Sequence, residues 1–371
     1  MHILIFSGYN QRAVIAFLRT LTQNEIVNYS IVARDCEDTI FNTIYKDKVF
    51  CTRQEKDIEI NYLLELLNSI KKKYFCKSIF LAPTTEYLNR FFLDYRETIE
   101  KVGGIIPLTD IETYIKISDK ETFQDICKNR GLDTPTKINL PIKYESPFVA
   151  KPKKYCSESG EIYSPILIKS ETEFQRFISN YEIRDFYFQE YIYGKSYYLL
   201  YYFSKNGECY CYSQENILQQ PYGKSIVAAK YSDVHMCNIN QQYKKLFEEL
   251  NFTGLVMVEF REKEDKKYMI EANPRFWGPS QFFVDSEYNF FEFLLRDYGF
   301  VLSQKKERND YAEVKYFWRG GIYVYPDAEL EEYGQFVFDE YNAFDIYNRE
   351  DTKVIYEQEC KRNERKIDPF I

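Results

Sequence analysis

Two apolar runs that each end in a carboxylate constrain this chain more than anything else in it. The first is Leu255-Val256-Met257-Val258-Glu259-Phe260-Arg261. A charged stretch, 262–267, separates it from Tyr268-Met269-Ile270-Glu271-Ala272-Asn273-Pro274-Arg275. The pattern predicts two strands joined by a turn. Side chains two apart on a strand share a face, so Glu271 and Asn273 point the same way. Across a hairpin Glu259 can face them. Carboxylates at the ends of apolar runs tend to be partly buried and need partners. Two carboxylates and an amide oxygen around one point are ligands for a hard cation, and magnesium with nucleotide phosphates suits them. Arg275 follows at once, and its guanidinium can grip a phosphate oxygen at two points. The competing reading is a surface hairpin whose acidic face is merely solvated.

The residue inventory narrows the chemistry further. Only two histidines, His2 and His235, occur in 371 residues, which removes most Ser–His, Cys–His and His–zinc mechanisms. The nine cysteines are scattered without CxxC pairs, so neither a disulfide framework nor a zinc site is expected, and reduced thiols point to the cytoplasm. Cys209 and Cys211 read as packing residues. Forty-nine basic against 57 acidic residues give a net charge of −8, a poor default for binding nucleic acid. Met1 to Asn10 reads as a strand and not a signal peptide. No apolar run is long enough for a transmembrane helix, so no membrane partner is expected. With 35 Tyr and 30 Phe, much of the core must be aromatic.

Residues 1–108 alternate strand and helix. Ile3–Phe6, Tyr29–Ala33 and Ser78–Ala82 are strand-like, and Val14-Phe17-Leu18-Leu21 and Leu63-Leu64-Leu67-Ile70 keep helical spacing. This predicts a parallel α/β sheet, whose strand-to-helix turns at Ser7-Gly8 and Pro83-Thr84 are places where ligands bind. The pattern changes over 109–194. Ser118 with Glu121 fits a capping box, Phe148–Lys151 is a strand, a polar segment follows, and Phe186–Ile192 is another strand. Residues 195–300 are mostly strand and contain the hairpin. Residues 301–371 are rich in Tyr and charge and read only as a packed C-terminal appendage.

Three further features admit a nucleotide. Lys151 ends an apolar strand, where a lysine either neutralises phosphates or projects into solvent. The stretch Lys153 to Gly160, with Ser157 and Ser159, suits a flap whose amides close over phosphates, or an ordinary turn. Gln189-Glu190-Tyr191-Ile192 before Gly194 forms a hinge that offers backbone groups to an adenine edge, or a simple crossover. Gly194-Lys195-Ser196 and Gly223-Lys224-Ser225 are not P-loops, because Gln189 and Leu218 stand where the first glycine is required.

Taken in order, Ile117-Ser118-Asp119-Lys120, Phe148-Val149-Ala150-Lys151-Pro152, Gln189-Glu190-Tyr191-Ile192-x-Gly194, Val258-Glu259 and Ile270-Glu271-Ala272-Asn273-Pro274-Arg275-Phe276-Trp277-Gly278 resemble an ATP-grasp enzyme over roughly residues 1–300. The resemblance implies a pre-ATP-grasp α/β domain (1–108), a lid lobe (109–194), a C-terminal grasp lobe with the metal hairpin (195–300) and the appendage (301–371). It implies ATP and Mg2+ as cofactors. Lys120 and Lys151 would bind phosphates, with Lys153, Ser157, Ser159 and Gly160 in the flexible loop. Gln189, Glu190, Tyr191 and Ile192 would line the adenine hinge, and Glu259, Glu271 and Asn273 would hold magnesium. Arg275, with Lys151, would act on the transferring phosphoryl group. Relatives carry an acidic residue for the ribose where this chain has Ser196.

The activity implied is ATP-dependent joining of a carboxylate to an amine through an acyl phosphate, which needs no histidine or cysteine nucleophile. Its partners would be small-molecule substrates, with a homodimer through the N-terminal lobe also open. The alternatives are carboxylase-like or carbamoyl-phosphate-synthase-like phosphorylation of a small carboxylate or bicarbonate, and a non-catalytic nucleotide-binding module.

Overall fold

Buried strands alternating with amphipathic helices build the N-terminal part. In the computed structural model, which describes residues 1–53, 57–140, 143–157, 159–286, 288–303, 314–324 and 330–367, the described strands form three sheets. The first is parallel: β1 (His2–Phe6), β2 (Tyr29–Ala33), β3 (Val49–Thr52), β4 (Ile79–Leu81) and β5 (Gly104–Ile105), in the order β3-β2-β1-β4-β5. Every residue of β1, β2 and β4 is buried, as expected of a parallel sheet covered on both faces. The helices are α1 (Gln11–Gln23), α2 (Ile60–Tyr74), α3 (Glu86–Asp94) and α4 (Arg96–Lys101). Strand order reverses between β1 and β4, so the loops after these two strands open at one end of the sheet, where such folds place ligands. Asn10, in the left-handed region at φ 45°, links those loops: its Nδ2 donates to Thr84 O and Phe276 O, both at 3.0 Å.

Helices α5 (Ile111–Ser118) and α6 (Lys120–Asn129) lead into the second sheet. The capping box expected at Ser118 does not form. Ser118 closes the last turn of α5, and Asp119 takes the N-cap position without a side-chain bond. The reason is Arg90, whose guanidinium donates to both Ser118 Oγ and Asp119 Oδ1 at 2.7 Å. The second sheet is antiparallel, β6 (Lys137–Ile138), β7 (Phe148–Pro152), β8 (Ile166–Ile168) and β9 (Phe186–Glu190), in the order β6-β9-β7-β8. Helix α7 (Glu171–Asn180) covers it through Phe174 and Phe177, which pack with Phe148, Phe186 and Phe188.

The third sheet is antiparallel. It contains β10 (Lys195–Phe203), β11 (Cys209–Gln219), β12 (Ile226–Tyr231), β13 (Gly254–Lys263), β14 (Lys266–Asn273), β15 (Lys315–Phe317) and β16 (Glu331–Glu332). The path is β14-β13-β10-β11-β12-β15, with β16 on β11. The run Tyr197–Phe203 is core: alternate side chains meet helix α8 (Asn238–Glu249) on one face and the helices at Gln281–Val284 and Phe290–Asp297 on the other. Gly194, at φ +141°, joins the second sheet to the third. A Cβ there would lie 2.0 Å from Glu262 O, so the crossover requires glycine.

The C-terminal stretch is knitted into both other parts. β15 and β16 extend the third sheet, and Arg19 of α1 donates to Asp351, Thr352 Oγ1 and Ile346 O within 2.9 Å. Residues 304–313, 325–329 and 368–371 of the expected appendage lie outside the described residues. No helix among the described residues is long and apolar enough to cross a membrane. All nine cysteines are free thiols.

Candidate active site

The hairpin β13–β14 sets the register of the site. Glu259 stands directly opposite Glu271, and Met257 opposite Asn273. A bulge follows, because Phe260 pairs with Met269 and skips Ile270. The Ile270 carbonyl accepts the Lys151 Nζ–H at 2.6 Å, so the bulge ties the end of β7 to the hairpin. Glu271 Oε1 accepts from Asn273 Nδ2 at 2.7 Å, and Asn273 Oδ1 accepts from Arg275 at 3.0 Å. Lys120, at the start of α6, forms an ion pair with the other Glu271 oxygen. Arg275 Nε lies 3.9 Å from Glu86 of α3, which also accepts from Arg90 at 3.1 Å. Carboxylates and cations from the β13–β14 hairpin, β7, α3 and α6 thus converge on one region.

The electrostatics follow from burial. Glu259 is 4% exposed. Burial first, and then the charge of Glu271, push its proton affinity above the ordinary carboxylate range. Burial alone would raise Glu271 too, but Lys120 and Lys151 override it and hold that group below its ordinary range. Lys151, 3% exposed, falls from 10.5 to about 7, by burial first and by Lys120 second. The arrangement pairs a carboxylate that resists ionising with a lysine that resists protonation. A bound divalent cation would relieve the first, and a phosphate the second. Among the described residues no group of three or more His, Cys, Asp or Glu side chains converges. Two carboxylates and an amide make an incomplete hard-cation shell, one that fits magnesium only with oxygens supplied by a ligand.

Three contiguous cavities surround Glu271. One is narrow and largely apolar, walled by Val149, Leu167, Ile192 and Ile270, with Lys151, Gln189, Tyr191 and Glu331 among its polar lining. The second is polar and holds Lys120, Lys154, Lys224 and Arg275. The third, about 640 Å³, opens at the switch point of the parallel sheet between the Tyr9–Arg12 turn and Glu86. Its far wall includes Trp277 and Trp318. Arg12 is fixed there over the Trp318 ring at 3.9 Å, with bonds to Tyr316 Oη, Ile226 O and Ser225 Oγ. A Cβ on Gly278 would come within 2.7 Å of that guanidinium.

The residues singled out from sequence divide into two groups. Lys120, Lys151, Gln189, Tyr191, Ile192, Glu259, Glu271, Asn273 and Arg275 line the cavities. Glu190 does not: its carboxylate accepts the Thr136 N–H at 2.8 Å and turns towards β6. Ser196 is fully buried behind Glu259, bonded to Asn216 at 2.9 Å. Ser157, Ser159 and Gly160 form a local turn, with Gly160 N on Ser157 O and the two hydroxyls 2.9 Å apart, while Glu158 lies outside the described residues. Lys153 and Ser157 line a separate surface pocket near Asp185. From that stretch Tyr155 lines the polar cavity, and Lys154 lines both. Two lining residues carried no local signal. Arg261 lies past the carboxylate in its strand, and Glu331 comes from the two-residue strand β16.

Residues 117–279 match the family model described as an ATP-grasp domain. Among solved structures, the fold is similar to a biotin carboxylase complex with β,γ-ATP from Campylobacter jejuni (TM-score 0.57, 13% identity, covering 81% of this chain and 72% of that one). It is similar to the biotin carboxylase domain of 2-oxoglutarate carboxylase from Hydrogenobacter thermophilus, solved with MgADP and bicarbonate (0.57, 14%, 82% and 71%). It is also similar to N5-carboxyaminoimidazole synthetase from Staphylococcus aureus (0.56, 17%, 81% and 78%). At these identities the likeness is one of fold. No curated protein matches the sequence.

Proposed function

We propose that this chain, whose residues 117–279 match an ATP-grasp domain, is an ATP- and magnesium-dependent ligase of the ATP-grasp type that joins a carboxylate to an amine through an acyl phosphate. The observation that carries this reading is the position of Glu271. It lines the apolar, the polar and the open cavity together, so whatever fills all three meets at its carboxylate. The apolar cavity suits a base, the polar one a polyphosphate, and the open one an acceptor.

Glu259, Glu271 and Asn273 would hold magnesium, whose contribution is to offset charge on the phosphates. Lys120 and Lys151 bind phosphate oxygens. Lys120 leaves its ion pair with Glu271 to do so, and Lys151 gains the proton that burial now disfavours. Arg275, anchored on Asn273 and Glu86, orients the acceptor carboxylate and steadies the γ-phosphoryl group. A carboxylate oxygen attacks γ-phosphorus and ADP leaves. The amine nitrogen then attacks the acyl carbon, and phosphate departs carrying that carboxylate oxygen as the nitrogen loses a proton. Lys154 and Tyr155 wall the polar cavity against water, which would otherwise hydrolyse the acyl phosphate. Ser196, buried behind Glu259, is left out of the ribose contacts.

The test is phosphate release from MgATP by the full chain, with pooled carboxylates and amines and products weighed by mass spectrometry. A product one water lighter than its two substrates is expected. Release that depends on bicarbonate alone would instead assign carboxylase-like chemistry. ATP binding without release on any pool would point to a non-catalytic module.

A further inference from the structure

The apolar cavity carries an acceptor that the grasp lobes do not supply. Glu331 reaches it from the C-terminal strand β16, which pairs with Leu218 and Gln219. One of its oxygens, Oε2, is saturated. It takes bonds from Arg261 Nη2 at 3.1 Å, from Tyr191 Oη at 3.3 Å and from Tyr333 Oη. These partners fix the carboxylate against the hinge. The other oxygen, Oε1, is buried and makes no hydrogen bond, and the half-exposed Lys169 Nζ lies 3.8 Å from it. Gln189 Oε1 of the hinge is likewise buried without a partner, in the same cavity. Buried acceptors without donors are costly, and a ligand that brings donors removes that cost.

Resting on the nucleotide reading above, we infer that Glu331 is a base-specificity residue, whose Oε1 accepts an N–H from the 6-amino group of adenine and rejects guanine. The cavity's apolar walls suit a purine ring. Lys120 and Lys151, both beside Glu271, draw the triphosphate to that side of the cavity. Adenine presents an amino donor at position 6, whereas guanine presents a carbonyl acceptor. Two acceptors facing each other in a buried site bring repulsion and no bond. The C-terminal stretch therefore contributes directly to nucleotide choice, beyond packing.

The test uses the full chain and measures Kd for MgATP, MgGTP and the magnesium complex of purine riboside triphosphate, which lacks the 6-amino group. The wild type is expected to favour ATP over both by about 10-fold or more. Glu331→Gln, which keeps the shape and can donate as well as accept, should narrow the ATP:GTP ratio by about 10-fold. Tyr333→Phe keeps Oε1 and should weaken all three alike, leaving the ratios unchanged. Equal wild-type affinity for ATP and purine riboside triphosphate would overturn the inference, whether or not the variants fold. So would a Glu331→Gln protein with the wild-type ratio. A wild type that binds ATP without regard to the 6-amino group refutes only this assignment. One that binds no nucleotide refutes the nucleotide site with it.

Discussion

Lys151→Met is predicted to stabilise the ligand-free protein while abolishing its response to ATP. The folded state lowers the Lys151 pKa from 10.5 to about 7, because burial beside Lys120 penalises the ammonium. At 1.36 kcal/mol per unit, that drop corresponds to a penalty on the order of 4 kcal/mol at pH 7. Methionine removes the charge and keeps the linear apolar chain. It also forfeits the bond to Ile270 O, about 1 kcal/mol, and one cation beside Glu271. The net expected gain is ~2 kcal/mol, or a few degrees in Tm for a chain of this size. The sign with pH follows from proton binding. Between about pH 7 and pH 10.5 the unfolded chain holds a proton on Lys151 that the folded chain has lost, so wild-type stability rises with pH through that window. The gap between variant and wild type should therefore close as pH approaches 10. Saturating MgATP should raise the wild-type Tm, by about 2.7 kcal/mol of linkage at 100 times Kd, and leave the variant unmoved. The assay is thermal melting with and without MgATP across that range. A ligand-free variant that melts below wild type by the same margin at every pH would refute the reasoning, as would a variant that MgATP stabilises normally.

Other outcomes follow from the same geometry. Glu271→Gln should reduce MgATP turnover by roughly 10²-fold or more with far-ultraviolet circular dichroism unchanged; a soluble, fully active variant would remove Glu271 from the site. Magnesium affinity in the presence of ADP, measured calorimetrically, should rise with pH through the range where Glu259 ionises, which burial and Glu271 have shifted upward, and then level off. An affinity that is flat from about pH 5 to pH 8 would contradict that pairing. Gly194→Ala should destabilise by about 2 kcal/mol or more, since the added Cβ meets Glu262 O at 2.0 Å and φ is +141°; an unchanged Tm would show that the crossover relaxes freely.

The parts of the site built on period-two alternation were legible in the sequence. Glu271 and Asn273 had to share a face, and a hairpin had to bring Glu259 opposite. The bulge at Ile270 was not legible, because it depends on Lys151 arriving from another sheet to take the freed carbonyl. The strand–helix alternation of the first hundred residues likewise carried the parallel sheet, since β1, β2 and β4 are mostly apolar and buried throughout. Ser118 looked like a cap because its neighbours fitted one locally, yet Arg90, 28 residues earlier, claims its hydroxyl. Glu190 is turned aside by Thr136 in the same way. Glu331 was hidden for a different reason. A two-residue strand leaves no periodicity, and its place on β11 is fixed by pairing more than a hundred residues distant in sequence.

The acyl-phosphate route is tested most directly with carboxylate pools labelled with 18O in the carboxyl group, together with MgATP, amines and the full chain. The phosphate released should carry one 18O atom, and the amide formed should retain the other. Unlabelled phosphate, released at the same rate without any amine product, would mean that water and not a carboxylate attacks the γ-phosphoryl group, and the ligase assignment would fall.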